Sequence, residues 1–421
     1  MEKETIALHA GYDQKAGFGT MSVPIFQTTA YAFRDSEHAA NLFALKELGP
    51  MYTRLTNPTT DVLEARFAEL EGGAAAICTA SGQAAIFYAI ANVAEAGDNI
   101  IISDKLYGGS VTLLTHTIKR FGIEARVFKS GDASNLEELI DEKTKAIYFE
   151  SLSNPQIAIA DIDAIVGIAK KHGVLTICDN TVATASLFNP IKCGVDIVVH
   201  STSKYTNGQG TAIGGVVVER NGLNEFFKTS SRYSHFNTPD ESYHGLVYTD
   251  VPLPNFCLRI RLSLLRDIGA SQAPFNSWLL IQGLETLSLR VEKHSDNALE
   301  VAKFLEAHPK VKSVNYPGLK SHSDYAKAQK YFKDGKASGL ISFDVASFEE
   351  AKRIIDSVKL FGVVVNIGDS KSLIVHPAST THSQMTADEL LKVGVNPTTI
   401  RLSIGLENTK DLIDDLVQAM A

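Results

Sequence analysis

Two residues suited to one reaction stand at the ends of apolar runs. Lys204 sits in Ser201-Thr202-Ser203-Lys204-Tyr205, directly after the run Asp196-Ile197-Val198-Val199-His200. Asp179 closes the run Val174-Leu175-Thr176-Ile177-Cys178. An amine at a strand end can form an imine with an aldehyde, and a carboxylate there can keep a pyridine nitrogen protonated. Together they point to pyridoxal 5'-phosphate (PLP). Neither carries that reading alone. Lysine is mostly a solvent-facing residue, and an aspartate after a strand is commonly a helix cap.

The remaining candidates surround the same chemistry. Ser81-Gly82-Gln83 follows an apolar run and opens a helix, where free backbone N–H groups attract a phosphate. A plain serine cap is the ordinary alternative. Ser201 and Ser203 place hydroxyls beside the lysine for the same anion. Tyr52 and Arg54, in Met51-Tyr52-Thr53-Arg54-Leu55, add a phenol and a guanidinium suited to bidentate phosphate binding. Tyr107, in Lys105-Leu106-Tyr107-Gly108-Gly109, can lay its ring on a pyridine or simply cover the core. Asn154, in Glu150-Ser151-Leu152-Ser153-Asn154-Pro155, can donate to the ring's phenolate oxygen or turn the chain before proline. Arg401 interrupts the apolar run Ile400-Arg401-Leu402-Ser403-Ile404. A buried arginine needs an anion, either an amino-acid carboxylate or an internal partner such as Glu407.

The elements that must position these groups alternate. A helix is predicted over 59–71, with Val62, Leu63, Phe67 and Leu70 on one face. Strands are predicted over 75–78, 99–102, 146–149, 174–178, 196–199 and 212–218, with helices over 83–93, 109–120 and 162–171. Short apolar runs separated by helices make a largely parallel sheet covered on both faces. Such sheets bind ligands at the carboxyl ends of their strands. The pattern breaks over 246–266 at Pro252, Pro254 and Asn255, and a long helix follows over 274–308, bent near Gly283. Short strands over 340–345, 363–365, 372–375 and 400–404 then mix with helices, as in an α+β domain. The first sixty or so residues lack periodicity but carry Gly17, Phe18, Phe26 and Tyr31 among others, which fits an arm packed on another subunit. The expected division is an arm (1–60), a large PLP-binding domain (61–270) and a C-terminal domain (271–421).

Bulk properties exclude other classes. The 421 residues carry a formal net charge of −8, which argues against a general nucleic-acid binder. No apolar leader segment opens the chain and no run reaches membrane-span length. Cys78, Cys178, Cys193 and Cys257 form no C-x-x-C pair, so neither a disulfide framework nor a metal site is expected, and the cytoplasm is the simplest location. A nicotinamide enzyme would need G-x-G-x-x-G after an early strand, which is missing. A non-catalytic ligand-binding protein finds no support in the charge pattern.

The order and spacing of these groups resemble the Cys/Met-metabolism group of fold-type I PLP enzymes. The likeness runs from Thr5-Ile6-Ala7-Leu8-His9-Ala10-Gly11 to Arg401-Leu402-Ser403-Ile404-Gly405-Leu406-Glu407. It implies an aspartate-aminotransferase-like fold: a mostly parallel central sheet with helices on both faces, plus a smaller C-terminal α+β domain. It further implies that Lys204 carries PLP, Asp179 pairs with the pyridine nitrogen and Tyr107 stacks on the ring. Gly82 and Gln83, with Ser201 and Ser203, would hold the phosphate. Tyr52 and Arg54 would reach it from the neighbouring subunit of a homotetramer built from dimers. Arg401, with Asn154 and Ser379, would bind the substrate, and Tyr107 and Tyr52 would assist Lys204 as acid–base groups. Three stretches are most similar to the O-acetylhomoserine sulfhydrylases of that group: 239–246, Leu264-Leu265-Arg266-Asp267, and the run Ser372 to Pro377 continued by Ala378-Ser379-Thr380-Thr381-His382. The implied reaction is γ-replacement on O-acetylhomoserine by sulfide or a small thiol, with a protein-borne sulfur carrier left open. Cystathionine γ-synthase, cystathionine γ-lyase or methionine γ-lyase chemistry is the alternative on the same scaffold. Gly109 stands where methionine γ-lyases usually carry a cysteine.

Overall fold

The computed structural model describes residues 1–15, 19–380 and 396–421. Gly17 and Phe18 of the arm, and Thr381 and His382, lie outside the described residues.

Seven strands form the first sheet: β1 (Ala75–Thr79), β2 (Asn99–Ser103), β3 (Glu124–Phe128), β4 (Thr144–Glu150), β5 (Leu175–Asp179), β6 (Ile197–His200) and β7 (Gly215–Glu219). Their order is β1-β7-β6-β5-β4-β2-β3. Strands β3, β2, β4, β5 and β6 are parallel throughout, while β7 runs antiparallel to both its neighbours. The apolar runs became strands because both faces are covered. Ile101, Ile147, Phe149, Cys178 and Val198 pack into one buried cluster. Their alternating neighbours Ile100, Ile102, Tyr148, Ile177 and Val199 pack into another. This is the period-two pattern of a sheet between two helical layers.

A second sheet, in order β10-β11-β12-β9-β8, is built from β8 (Ser313–Asn315), β9 (Leu340–Asp344), β10 (Gly362–Val363), β11 (Leu373–Val375) and β12 (Thr399–Ser403). Its apolar face joins the helices Leu287–Ala307 and Thr409–Met420 in a third cluster containing Val301, Ile341, Ile400 and Leu416.

Several elements differ from expectation for local reasons. β3 (Glu-Ala-Arg-Val-Phe) went unseen because it is an edge strand, half exposed and charged. The stretch 246–266 contains a helix that the prolines hid. Pro252 and Pro254 precede Asn255–Arg259, which continues through a wide turn over Ile260–Leu265. Proline is tolerated just before or at the first turn of a helix, since its missing N–H has no partner to lose there. The helix expected over 109–120 is present but changes pitch, as Gly108–Thr112, Leu113–Thr117 and Ile118–Phe121. The long helix breaks at Thr286, close to the expected bend.

The segment before Pro58 is largely irregular, with short helices at Lys3–His9 and Ser36–Phe43. Arg66, almost wholly buried, donates to the carbonyls of Ala7, Leu8 and Ala10 and so fixes the first of these helices.

Candidate active site

The carboxyl ends of β4, β5 and β6 open into a pocket, and β12 of the second sheet supplies part of its wall. Gly82, Gln83, Tyr107, Asn154, Asp179, Ser201, Lys204 and Arg401 all line it. These eight come from six separate stretches of chain.

Lys204 follows β6 through a tight turn. Its Nζ donates to Asn366 Oδ1 at 2.7 Å, a neutral amide. Burial, and secondarily the Arg401 guanidinium, hold its pKa below the usual lysine value. The desolvated, anion-poor position that a proton-shuttling lysine requires is therefore present.

Asp179 ends β5. Its Oδ1 accepts from Thr181 N–H at 2.9 Å and its Oδ2 from the Tyr148 hydroxyl at 3.2 Å. Burial pushes its pKa up, while the Thr181 hydrogen bonds and the His200 charge pull it down. A cation at the open side of this carboxylate would fix it as the anion.

The turn at Gly82 is shaped by close approach. A Cβ on Gly82 would sit 2.6 Å from Ser201 Cβ, so only glycine lets the turn meet the lysine loop. Ser81 caps the helix Gly82–Ala91 through Ala84 N–H at 3.1 Å, leaving Gly82 and Gln83 at its N-terminus. Gly109 has the same kind of role. A Cβ there would lie 2.5 Å from Tyr107 Cε1 and 2.9 Å from Gln83 Nε2.

Arg401 lies on β12, a central strand paired with β11 and β9, and is only 3% exposed. Its Nη1 donates to Asn154 Oδ1 at 3.1 Å and its Nη2 to Asn366 O at 3.0 Å, while its Nε has no partner. Burial lowers its pKa to about 10. Glu407, the internal partner considered from sequence, is instead bound to the Ser372 N–H and hydroxyl. The guanidinium therefore faces the pocket without a carboxylate, and a ligand carboxylate would meet that need.

Four of the sequence candidates are elsewhere. Ser203 hydrogen-bonds through its hydroxyl to Gly214, from whose N–H it accepts at 3.0 Å. Ser379 is exposed and bound to His376 Nδ1 at 2.8 Å. Tyr52 and Arg54 lie on the outer surface, the guanidinium 5.3 Å from the ring, and do not reach this chain's own pocket. Sequence reasoning missed Glu150, Thr181 and Asn366 on the pocket wall. Glu150 carried a signal, since it ends an apolar run as Asp179 does. Asn366 carried none, because a 162-residue separation brings it to Lys204 only through the second sheet.

A family model described as Cys/Met metabolism PLP-dependent enzyme matches residues 4–421. The chain belongs to that family. Fold-type I architecture and dependence on PLP come with it. The enzyme is 46% identical to an O-acetyl-L-homoserine sulfhydrylase of Leptospira meyeri, covering 99% of this chain and 96% of that one. It is 57% identical, with a TM-score of 0.98 and full coverage of both chains, to a Campylobacter jejuni crystal structure described as an O-acetylhomoserine (thiol)-lyase and carrying a pyridoxyl-lysine monophosphate. A cystathionine γ-lyase structure from Lactobacillus plantarum is more distant, at 31% identity and a TM-score of 0.84, covering all of this chain and 98% of that one.

The pocket itself fits PLP. It offers a primary amine with no competing carboxylate, a carboxylate for a ring nitrogen, an aromatic wall and a glycine turn at a helix N-terminus. Among the described residues no cluster of His, Cys, Asp and Glu could hold a metal, and no helix is long and apolar enough to cross a membrane.

Proposed function

We propose that this enzyme replaces the acetyl group of O-acetyl-L-homoserine with sulfide or a small thiol, yielding homocysteine or methionine and acetate. The observation that carries the reading is the pairing, in one pocket, of a lysine amine bound to a neutral amide with a buried arginine that has no carboxylate partner. The sulfhydrylase relatives over nearly the whole chain support the choice of substrate.

Lys204, Asp179, Tyr107, Gly82, Gln83 and Ser201 are the residues that would hold PLP, with Asn154 beside its ring. PLP supplies an aldehyde for Lys204 and an electron sink for bonds broken at the α- and β-carbons of an amino acid. The rest falls to the protein. Arg401 binds the substrate carboxylate through the side of its guanidinium not given to Asn154 and Asn366, which sets the α-carbon near Lys204. Lys204 Nζ, held below its usual pKa, removes the α-proton and can return it. A second proton lost at the β-carbon lets the γ-carbon–oxygen bond break. Acetate leaves as a stable carboxylate, so no strong acid need face it. The sulfur nucleophile forms the new bond at the γ-carbon, and the same lysine returns protons to carbon. Asp179 would keep a proton on the pyridine nitrogen throughout, and Tyr107, on the same pocket wall, would stack on the ring and pass protons.

Tyr52 and Arg54 are proposed to serve the neighbouring subunit of a dimer within a tetramer, because both are exposed and neither lines this chain's own pocket. The four free cysteines, three of them buried, fit a reduced cytoplasmic setting. The test is direct. With O-acetylhomoserine and sulfide, homocysteine and acetate should form in equal amounts. Release of 2-oxobutyrate as the main product would overturn the reading in favour of elimination, and faster turnover with cysteine than with sulfide would make the enzyme a cystathionine synthase.

A further inference from the structure

Glu150 lines the same pocket and has no part in the chemistry above. It ends β4 in register with Asp179 at the end of β5, so the two carboxylates are strand neighbours. It is 6% exposed. Its Oε1 accepts the Tyr107 N–H at 2.6 Å and its Oε2 accepts the Asn154 N–H at 3.2 Å. One carboxylate thus holds two loops, one following β2 and one following β4. Those loops carry the ring that faces the pyridine and the amide that meets Arg401.

The arrangement is costly. No lysine or arginine forms an ion pair with Glu150 among the described residues, and the charge that acts on it is that of its strand neighbour Asp179. Burial and that neighbour raise its pKa well above the carboxylate range, against the two N–H groups that lower it. Tyr148 from its own strand, Cys178 and Asp179 from β5 are the titratable groups around it. Structure alone would be served more cheaply by an apolar residue or a glutamine. A carboxyl group, ionised or protonated, nevertheless keeps an oxygen lone pair for each of the two N–H groups. An amide turns one acceptor into a donor aimed at a donor.

We propose that Glu150 is a positioning residue that sets Tyr107 and Asn154 together, and so ties the placement of the cofactor ring to the placement of the substrate-binding arginine. The proposal rests on the reading that Tyr107, Asp179 and Lys204 hold PLP. The test compares holoenzyme with Glu150→Gln, which keeps the side-chain shape. Far-ultraviolet circular dichroism should be unchanged. The visible circular dichroism of bound PLP should fall, its Kd should rise about tenfold, and KM for O-acetylhomoserine should rise more than kcat falls. Unchanged visible dichroism, PLP Kd and KM would overturn the proposal. Should Glu150→Gln not fold, Glu150→Asp, which keeps the carboxyl group but is too short to meet both N–H groups, is measured in the same way, and the same normal values would overturn it. Wild-type protein that binds no PLP would instead overturn the underlying reading, so the two failures are distinguishable.

Discussion

At Lys204 the proposed chemistry needs the free amine. Burial and the Arg401 guanidinium both depress its pKa, so the neutral form extends to lower pH than in an exposed lysine. Arg401→Gln removes one of the two causes and leaves the larger one, burial. The pKa of Lys204 should then rise, and capture of PLP by the cofactor-free protein should need a higher pH. Capture rate against pH, without substrate, reads this directly; an unmoved or lowered midpoint would contradict the electrostatic coupling. Lys204→Ala should lose both the visible PLP band and turnover. Gly109→Ala places a methyl group against the Tyr107 ring and Gln83 amide, and should lower kcat/KM about tenfold through displacement of the ring. Normal kcat/KM would show that the ring has room to yield. Lys204, Asp179 and Arg401 were legible in the sequence because each breaks the pattern of an apolar strand or its end. Asn366 was not, since nothing local marks a loop residue whose partner is fixed by the packing of two sheets.

Among the elements, β7 is the exception in an otherwise parallel sheet, and its last residue shows what holds it. Glu219 is buried, and its Oε2 accepts the Cys257 N–H at 2.6 Å, joining β7 to the helix that starts at Asn255. Burial, opposed by hydrogen bonds from Cys257, pushes its pKa up to about 8. A carboxyl raised in the folded state from an ordinary value near 4.5 stabilises fully only below that value. Its contribution is lost as pH rises through about 8. Glu219→Gln keeps an acceptor for Cys257 and removes the titration. The stability of wild type relative to this variant should therefore decline between pH 5 and pH 8, by on the order of a few kcal/mol. Thermal unfolding of the two proteins across that range checks it, and a flat difference would place the carboxyl in contact with water. The parallel strands were readable because burial on both faces makes them continuous apolar runs. The direction of β7 and the helix after Pro254 were not, because both depend on contacts made across the sheet.

On the scale of the whole molecule, the arm poses the clearest question. Arg261 donates to the Leu55 carbonyl and to Glu64, and Glu64 accepts the Cys78 N–H at 2.8 Å. The segment bearing Tyr52 and Arg54 is thus tied to β1, yet both side chains are exposed and neither lines this chain's own pocket. An exposed phenol and guanidinium held at the surface make sense if they complete a site on a second copy. Co-expression of Arg54→Ala with Lys204→Ala decides the matter. If the arm serves the other subunit of a dimer, each mixed dimer carries one site with both defects and one with neither. Random pairing makes half the dimers mixed, so activity should return to roughly a quarter of wild type although each variant alone is nearly inactive. If Arg54 serves its own chain, every site holds one defect or the other and the mixture stays inactive.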